Sequence, residues 1–155
     1  MKLSGEITVD ASKARVFEAI RDAEFFVSCV PGASDLQEID DRTYKAKLDT
    51  RVAYIRFKFD VDVRISRIEE PDLIEAQVTG VPSGIVGRLT STATTRLREE
   101  GGETVIAYDI DSTLSGRLGS IGQPVLKSKA REMEKEFTKR LRASFALEPS
   151  EGGRA

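Results

Sequence analysis

Apolar and polar positions along the chain follow two rhythms, and the changes between them divide it into parts. In KLSGEITV, residues 2 to 9, Leu3, Ile7 and Val9 occupy alternate positions and Gly5 interrupts the row, which predicts a short first strand. The next stretch, ASKARVFEAIRD, sets Val16, Phe17 and Ile20 on one face at helical spacing, with Asp10 available as the cap that accepts from free backbone donors. AEFFVSC predicts a second, short helix. Pro31 and Gly32 end it, because proline lacks the N–H that would continue a helix and restricts the residue before it.

From residue 35 to residue 114 the period falls to two. The clearest run places Ile55, Phe57, Phe59, Val61, Val63 and Ile65 on one face and Arg56, Lys58, Asp60, Asp62 and Arg64 on the other, the mark of a sheet with one dry side. TYKAKLDTRV repeats it with Tyr44, Ala46, Leu48 and Val52 inward. Further inward rows are Ile74, Ala76 and Val78, then Ile85, Leu89, Ala93 and Leu97 interrupted by Gly87 and Ser91, then Ile106, Tyr108, Ile110, Ser112 and Leu114. Small and polar residues among large apolar ones suit a cavity wall better than a packed centre.

A helical stripe closes the chain from Gly116 to Phe145, through Leu118, Ile121, Val125, Leu126, Ala130, Met133, Phe137 and Leu141. At about 1.5 Å per residue such a helix crosses a sheet completely. The fold class expected is therefore α+β: a curved antiparallel sheet of about seven strands around a long C-terminal helix. One domain is expected over residues 1–146, with a flexible tail over 147–155.

Composition narrows the chemistry. The 24 basic residues nearly cancel the 26 acidic ones, so no strong overall field attracts nucleic acid. No secretion signal or membrane-spanning stretch is visible, and a soluble cytoplasmic protein is expected, with at most peripheral contact at the inner face of the membrane. One cysteine and no histidine remove the internal disulfide, the multi-thiolate metal site and the commonest general base. No metal is expected, and catalysis is disfavoured.

The order of elements resembles the START-like, or SRPBCC, helix-grip fold. CVPGASDL, with Cys29, Pro31, Gly32 and Leu36, and TVIAYDIDSTLSGRLGSIGQPVLKSKAREM, with Thr104, Tyr108, Gly116, Leu118 and Gly122, resemble the CoxG family, the G subunit of carbon monoxide dehydrogenase. The resemblance implies a non-catalytic accessory protein of a molybdenum hydroxylase of the carbon monoxide dehydrogenase type, concerned with its maturation, recruitment or electron transfer. It also implies an internal cavity for a lipophilic ligand such as an isoprenoid quinone. Val81, Pro82 and Ser83 interrupt the glycine-rich segment found in the family. Many members add a linker and an apolar C-terminal anchor, which is expected to be missing from a chain that stops at Ala155. The alternatives are a helix-grip cyclase or aromatase acting on a hydrophobic substrate, and a structural adaptor without a ligand.

The candidate site follows the inward faces. Cys29 has no histidine to make it a nucleophile, so it is read as a small apolar residue at a pocket edge, with redox sensing as the alternative. Pro31 and Gly32 form a turn that doubles as a rim beside Phe26 and Val30. Phe57, Phe59, Leu89, Ala93, Met133, Phe137 and Leu141 are core positions that also serve as pocket wall. Tyr108 and Ser112 either donate to a ligand carbonyl or head group, or are satisfied within the core. The mixed charges of the last helix make a solvated face or a docking face. SGRLGSIGQP lacks the context of a phosphate loop, and Asp60 with Asp62 faces solvent, a poor catalytic pair.

Overall fold

The computed structural model describes residues 1–147; the tail expected over 147–155 lies, from residue 148 onward, outside the described residues. Strand β1 (Lys2–Val9) leads to helices α1 (Lys13–Arg21) and α2 (Ala23–Cys29). Six strands follow: β2 (Ala33–Asp40), β3 (Thr43–Val52), β4 (Ile55–Glu69), β5 (Leu73–Pro82), β6 (Gly87–Glu100) and β7 (Glu103–Gly116). A 3-10 segment (Arg117–Ile121) then precedes helix α3 (Gln123–Leu147). All strands join one antiparallel sheet in the order β1-β7-β6-β5-β4-β3-β2, the expected α+β architecture.

Helix α3 crosses the concave face of this sheet. Its closest backbone approaches are to α2, β1 and β3. At the β1 side, Arg131 donates to the Ser4 carbonyl at 2.9 Å and Arg142 to the Thr8 carbonyl at 3.0 Å. At the C-terminal end of α3, Phe145 meets the edge of Phe25 on α2 at 6.5 Å and lies under the Arg15 guanidinium of α1.

Local chemistry corrects the expected boundaries. Ser12, not Asp10, caps α1, accepting from the Arg15 amide at 3.3 Å; β1 runs on to Val9 and a turn from Ala11 to Val9 delays the helix. Asp22 caps α2 in the same way through the Phe25 amide. The closing helix does not begin at Gly116. Gly122 has φ 98°, outside helical geometry, and α3 starts only beyond it, with Pro124 in the first turn, where its missing N–H costs nothing. Consequently Leu118 is buried while Val125, assigned to the same stripe, is exposed.

Strand β4 departs from strict alternation at both ends. Ile55 is exposed, because it lies at the turn opposite Val52, at the end of the strand. Farther along, a register shift between Ile65 and Arg67 inserts one residue, so Ile68 lies opposite Ile74 and packs with it against the same core. A bulge of this kind reverses the parity on which a period-two argument rests.

The turn after α2 rests on backbone geometry that only glycine supplies easily. Gly32 has φ 85°, its carbonyl accepts from the Asp49 amide at 3.0 Å, and a Cβ built on it would lie 2.2 Å from the Asp49 carbonyl oxygen. Gly32→Ala is therefore expected to lower the unfolding free energy by at least about 2 kcal/mol, measured by denaturant titration. An unchanged midpoint would show that the contact with β3 is expendable.

Candidate functional site

The concave face holds two separate apolar clusters. One joins Ile7, Val9, Val16, Phe17, Cys29, Leu97, Ile106 and Leu141, with Phe137 and Tyr108 packed against it. The other joins Val52, Phe57, Phe59 and Leu118, with Leu89, Leu114, Ile121 and Leu126 around it. The first belongs to the end where α1 and α2 fold over the sheet. The second is at the end closed by the 3-10 segment.

Between them the floor is made of small and polar side chains. Ala76, Ala93 and Ile110 are successive cross-strand partners, and Val63, Val78, Ser91 and Ser112 form the next row. Neither cluster contains these residues, and apart from the two serines they are half-buried. Each of the two serines is at least nine-tenths buried, and their hydroxyls share a hydrogen bond at 2.7 Å. Small and half-buried side chains thus make the floor between the two clusters. Its two hydroxyls can turn toward a polar atom placed above them.

Beside α3 a cleft of about 740 Å³ opens along β3. Pro31 and Gly32 stand on its rim with Asp49, Thr50 and Arg51, and Met133 is the apolar side chain that α3 contributes. The rest of the helix side is charged, including Lys129, Glu132, Lys135 and Glu136. The turn after α2 thus borders an opening, and that opening is polar outside.

The structure distributes the candidate residues over several places. Phe26 is 42 % exposed, and its ring lies 5.2 Å from Phe137 at the junction of α2 and α3. Cys29 and Leu141 are sealed in the first cluster, while Val30 follows α2 as its half-buried cap. Phe57 and Phe59 stack at 5.7 Å in the second cluster, with Leu89 against them. Ala93 and Ser112 lie on the floor, and Met133 at the cleft.

Burial pushes the Cys29 thiol above its ordinary pKa, an effect that its contacts with Ser28 and the charge of Arg140 offset only in part. The thiolate, the reactive form, is disfavoured there. Tyr108 has a partner that sequence alone did not supply. Its hydroxyl donates to Glu134 of α3, and Arg131 reaches both the Tyr108 hydroxyl and Glu134 at 3.3 Å. Gly5, directly opposite Tyr108 on β1, makes room for this crossing: a Cβ there would fall 2.7 Å from the phenolic oxygen. The hydroxyl is thus held at the β1 seam of the helix.

Among the described residues no group of three or more His, Cys, Asp or Glu is placed to hold a metal ion. No helix among them is long and apolar enough to cross a membrane.

A long helix gripped by a seven-stranded antiparallel sheet, with two short helices after the first strand, defines a START-like, SRPBCC helix-grip protein. The family model for the G subunit of carbon monoxide dehydrogenase (CoxG) matches residues 5–146, and the chain belongs to that family. A conserved protein from Geobacillus kaustophilus shares the fold with a TM-score of 0.86 at 22 % identity, over 94 % of this chain and 95 % of its own. A START superfamily protein from Mycobacterium smegmatis aligns with a TM-score of 0.68 at 15 % identity, over 92 % and 95 %. The protein Ara h 8.0201 aligns with 0.69 at 14 % identity, over 96 % and 99 %. No curated protein matches the sequence.

Native Cys29 is expected to react with iodoacetamide at least about tenfold more slowly than the unfolded chain at pH 8, because burial both hides the thiol and raises its pKa. Equal rates would mean that the thiol reaches solvent. Tyr108→Phe is expected to cost about 1 kcal/mol of stability by removing a donor from Glu134, read from the shift in denaturation midpoint.

Proposed function

We propose that the floor between the two apolar clusters lines a hollow in which the protein binds a lipophilic molecule, and that the protein serves as a non-catalytic accessory of a molybdenum hydroxylase of the carbon monoxide dehydrogenase type. The observation that carries the binding step is the break in the core: large side chains fill both ends of the concave face, and Ala76, Ala93, Ser91 and Ser112 form its middle. An isoprenoid quinone suits this surface. Its rings and methyl groups match the alanine and valine floor, and a ring carbonyl can accept from the serine pair.

Withdrawing about 300 Å² of apolar surface from water gains roughly 7 kcal/mol before ordering costs, enough for micromolar binding. Family membership supports the accessory role beside the molybdenum enzyme. The Tyr108 hydroxyl is engaged by Glu134 and Arg131 at the β1 seam, which favours a fastening role over cyclase-like proton transfer. A cytoplasmic position follows from the partner proposed.

Native mass spectrometry of gently purified protein, followed by solvent extraction, tests the assignment. A stoichiometric quinone or isoprenoid supports it; protein that is reproducibly empty and fails to take up added menaquinone or ubiquinone overturns it in favour of an adaptor. Turnover of an aromatic polyketide would support the enzymatic alternative instead. Ala93→Leu and Phe137→Trp, which add bulk on the floor and on α3, are expected to weaken quinone binding by at least about tenfold while lowering stability by less than about 1.4 kcal/mol.

A further inference from the structure

Successive turns of an antiparallel meander alternate between the two ends of its sheet. The β3–β4 turn, the β5–β6 turn and the 3-10 segment therefore share one end, as the pairing of Val52 with Ile55, Phe59 with Pro82 and Gly87 with Gly116 requires. Apolar side chains project from these tips into solvent. Tyr54 is 99 % exposed, Val86 77 % and Ile55 50 %.

The charge surrounding them is mostly positive, with Asp49 and Asp60 as the nearest acids. Residues 50–59, 76–98 and 112–131 contain no aspartate or glutamate, yet they bring Arg51, Arg56, Lys58, Arg88, Arg117 and Lys127 to this end. Arg56 pairs with Asp49, which also feels the charge of Lys58 across the strand, and Arg51, Arg88, Arg117 and Lys127 make no ion pair among the described residues. The opposite turns carry the acids, at residues 40–41, 69–72 and 99–103. A net charge of −2 thus conceals a separation of charge along the strands.

We propose that the Tyr54, Ile55 and Val86 end docks on an anionic phospholipid bilayer, the apolar tips entering the interface and the basic residues meeting the phosphates. Tyr54 and Ile55 stand on one turn and Val86 on another, so the apolar tips form two separate prongs. A fluid interface admits each prong independently, and its negative surface attracts the basic residues while repelling the acidic end, so one orientation prevails. The surface acts whether or not the hollow is filled.

The chain contains no tryptophan, so Tyr54→Trp creates a single fluorescent reporter at the tip, and Ile39→Trp, beside the acidic β2–β3 turn, provides the control. Both full-length variants are titrated with vesicles of phosphatidylcholine and phosphatidylglycerol in a ratio of about 3:1, and with phosphatidylcholine alone. The expected result is a blue shift and quenching by brominated acyl chains for Tyr54→Trp on the anionic vesicles only, with Ile39→Trp unchanged. Adding Arg88→Glu and Arg117→Glu to Tyr54→Trp, with circular dichroism as the check of folding, is expected to weaken partitioning at least about tenfold. No shift at Tyr54→Trp, an equal shift at Ile39→Trp, or binding indifferent to the charge reversals would overturn the proposal.

Discussion

One helix has to cover the concave face of a seven-stranded sheet, and most of what distinguishes this molecule follows from that requirement. A helix is straight and the sheet is curved, and α3 makes its closest backbone approaches to α2, β1 and β3. Large side chains close the gap where other elements help: α1 and α2 at one end, the 3-10 segment at the other. In the middle lies the floor that belongs to neither cluster. The sequence meets that region with alanine and serine, and the core divides in two.

The same requirement explains why polar groups concentrate where they do. Ser91 and Ser112 satisfy each other across adjacent strands, so two buried hydroxyls cost little in the absence of water. Tyr108 needs a longer reach, which Gly5 permits by leaving its strand bare at that point. Glu134 and Arg131 then join sheet and helix at the side where the fit of apolar surfaces ends.

Periodicity makes the sheet legible because alternation along β3, β4 and β7 is a local property, written in consecutive residues such as Phe57, Lys58 and Phe59. What it does not carry is anything set by register. The Ser91–Ser112 pair, the opposition of Gly5 and Tyr108 and the parity change before Ile68 all depend on which residue faces which across a strand boundary. The break before α3 escapes it for a related reason. Leu118 and Val125 fit one helical stripe on paper, whereas Gly122 turns the backbone between them. Site residues suffer most, since inward parity groups Phe57, Ala93 and Tyr108 together although they occupy different regions of the concave face.

A sheet with this order has two free sides, and β1 forms one of them. The guanidinium groups of Arg131 and Arg142 occupy the Ser4 and Thr8 carbonyls, which point away from β7. An incoming strand from another copy would need those acceptors to begin a ladder and would have to displace two charged donors to reach them. The helix that grips the interior thereby also guards the selvage of the sheet, and crowding many copies together does not let them stitch edge to edge along β1.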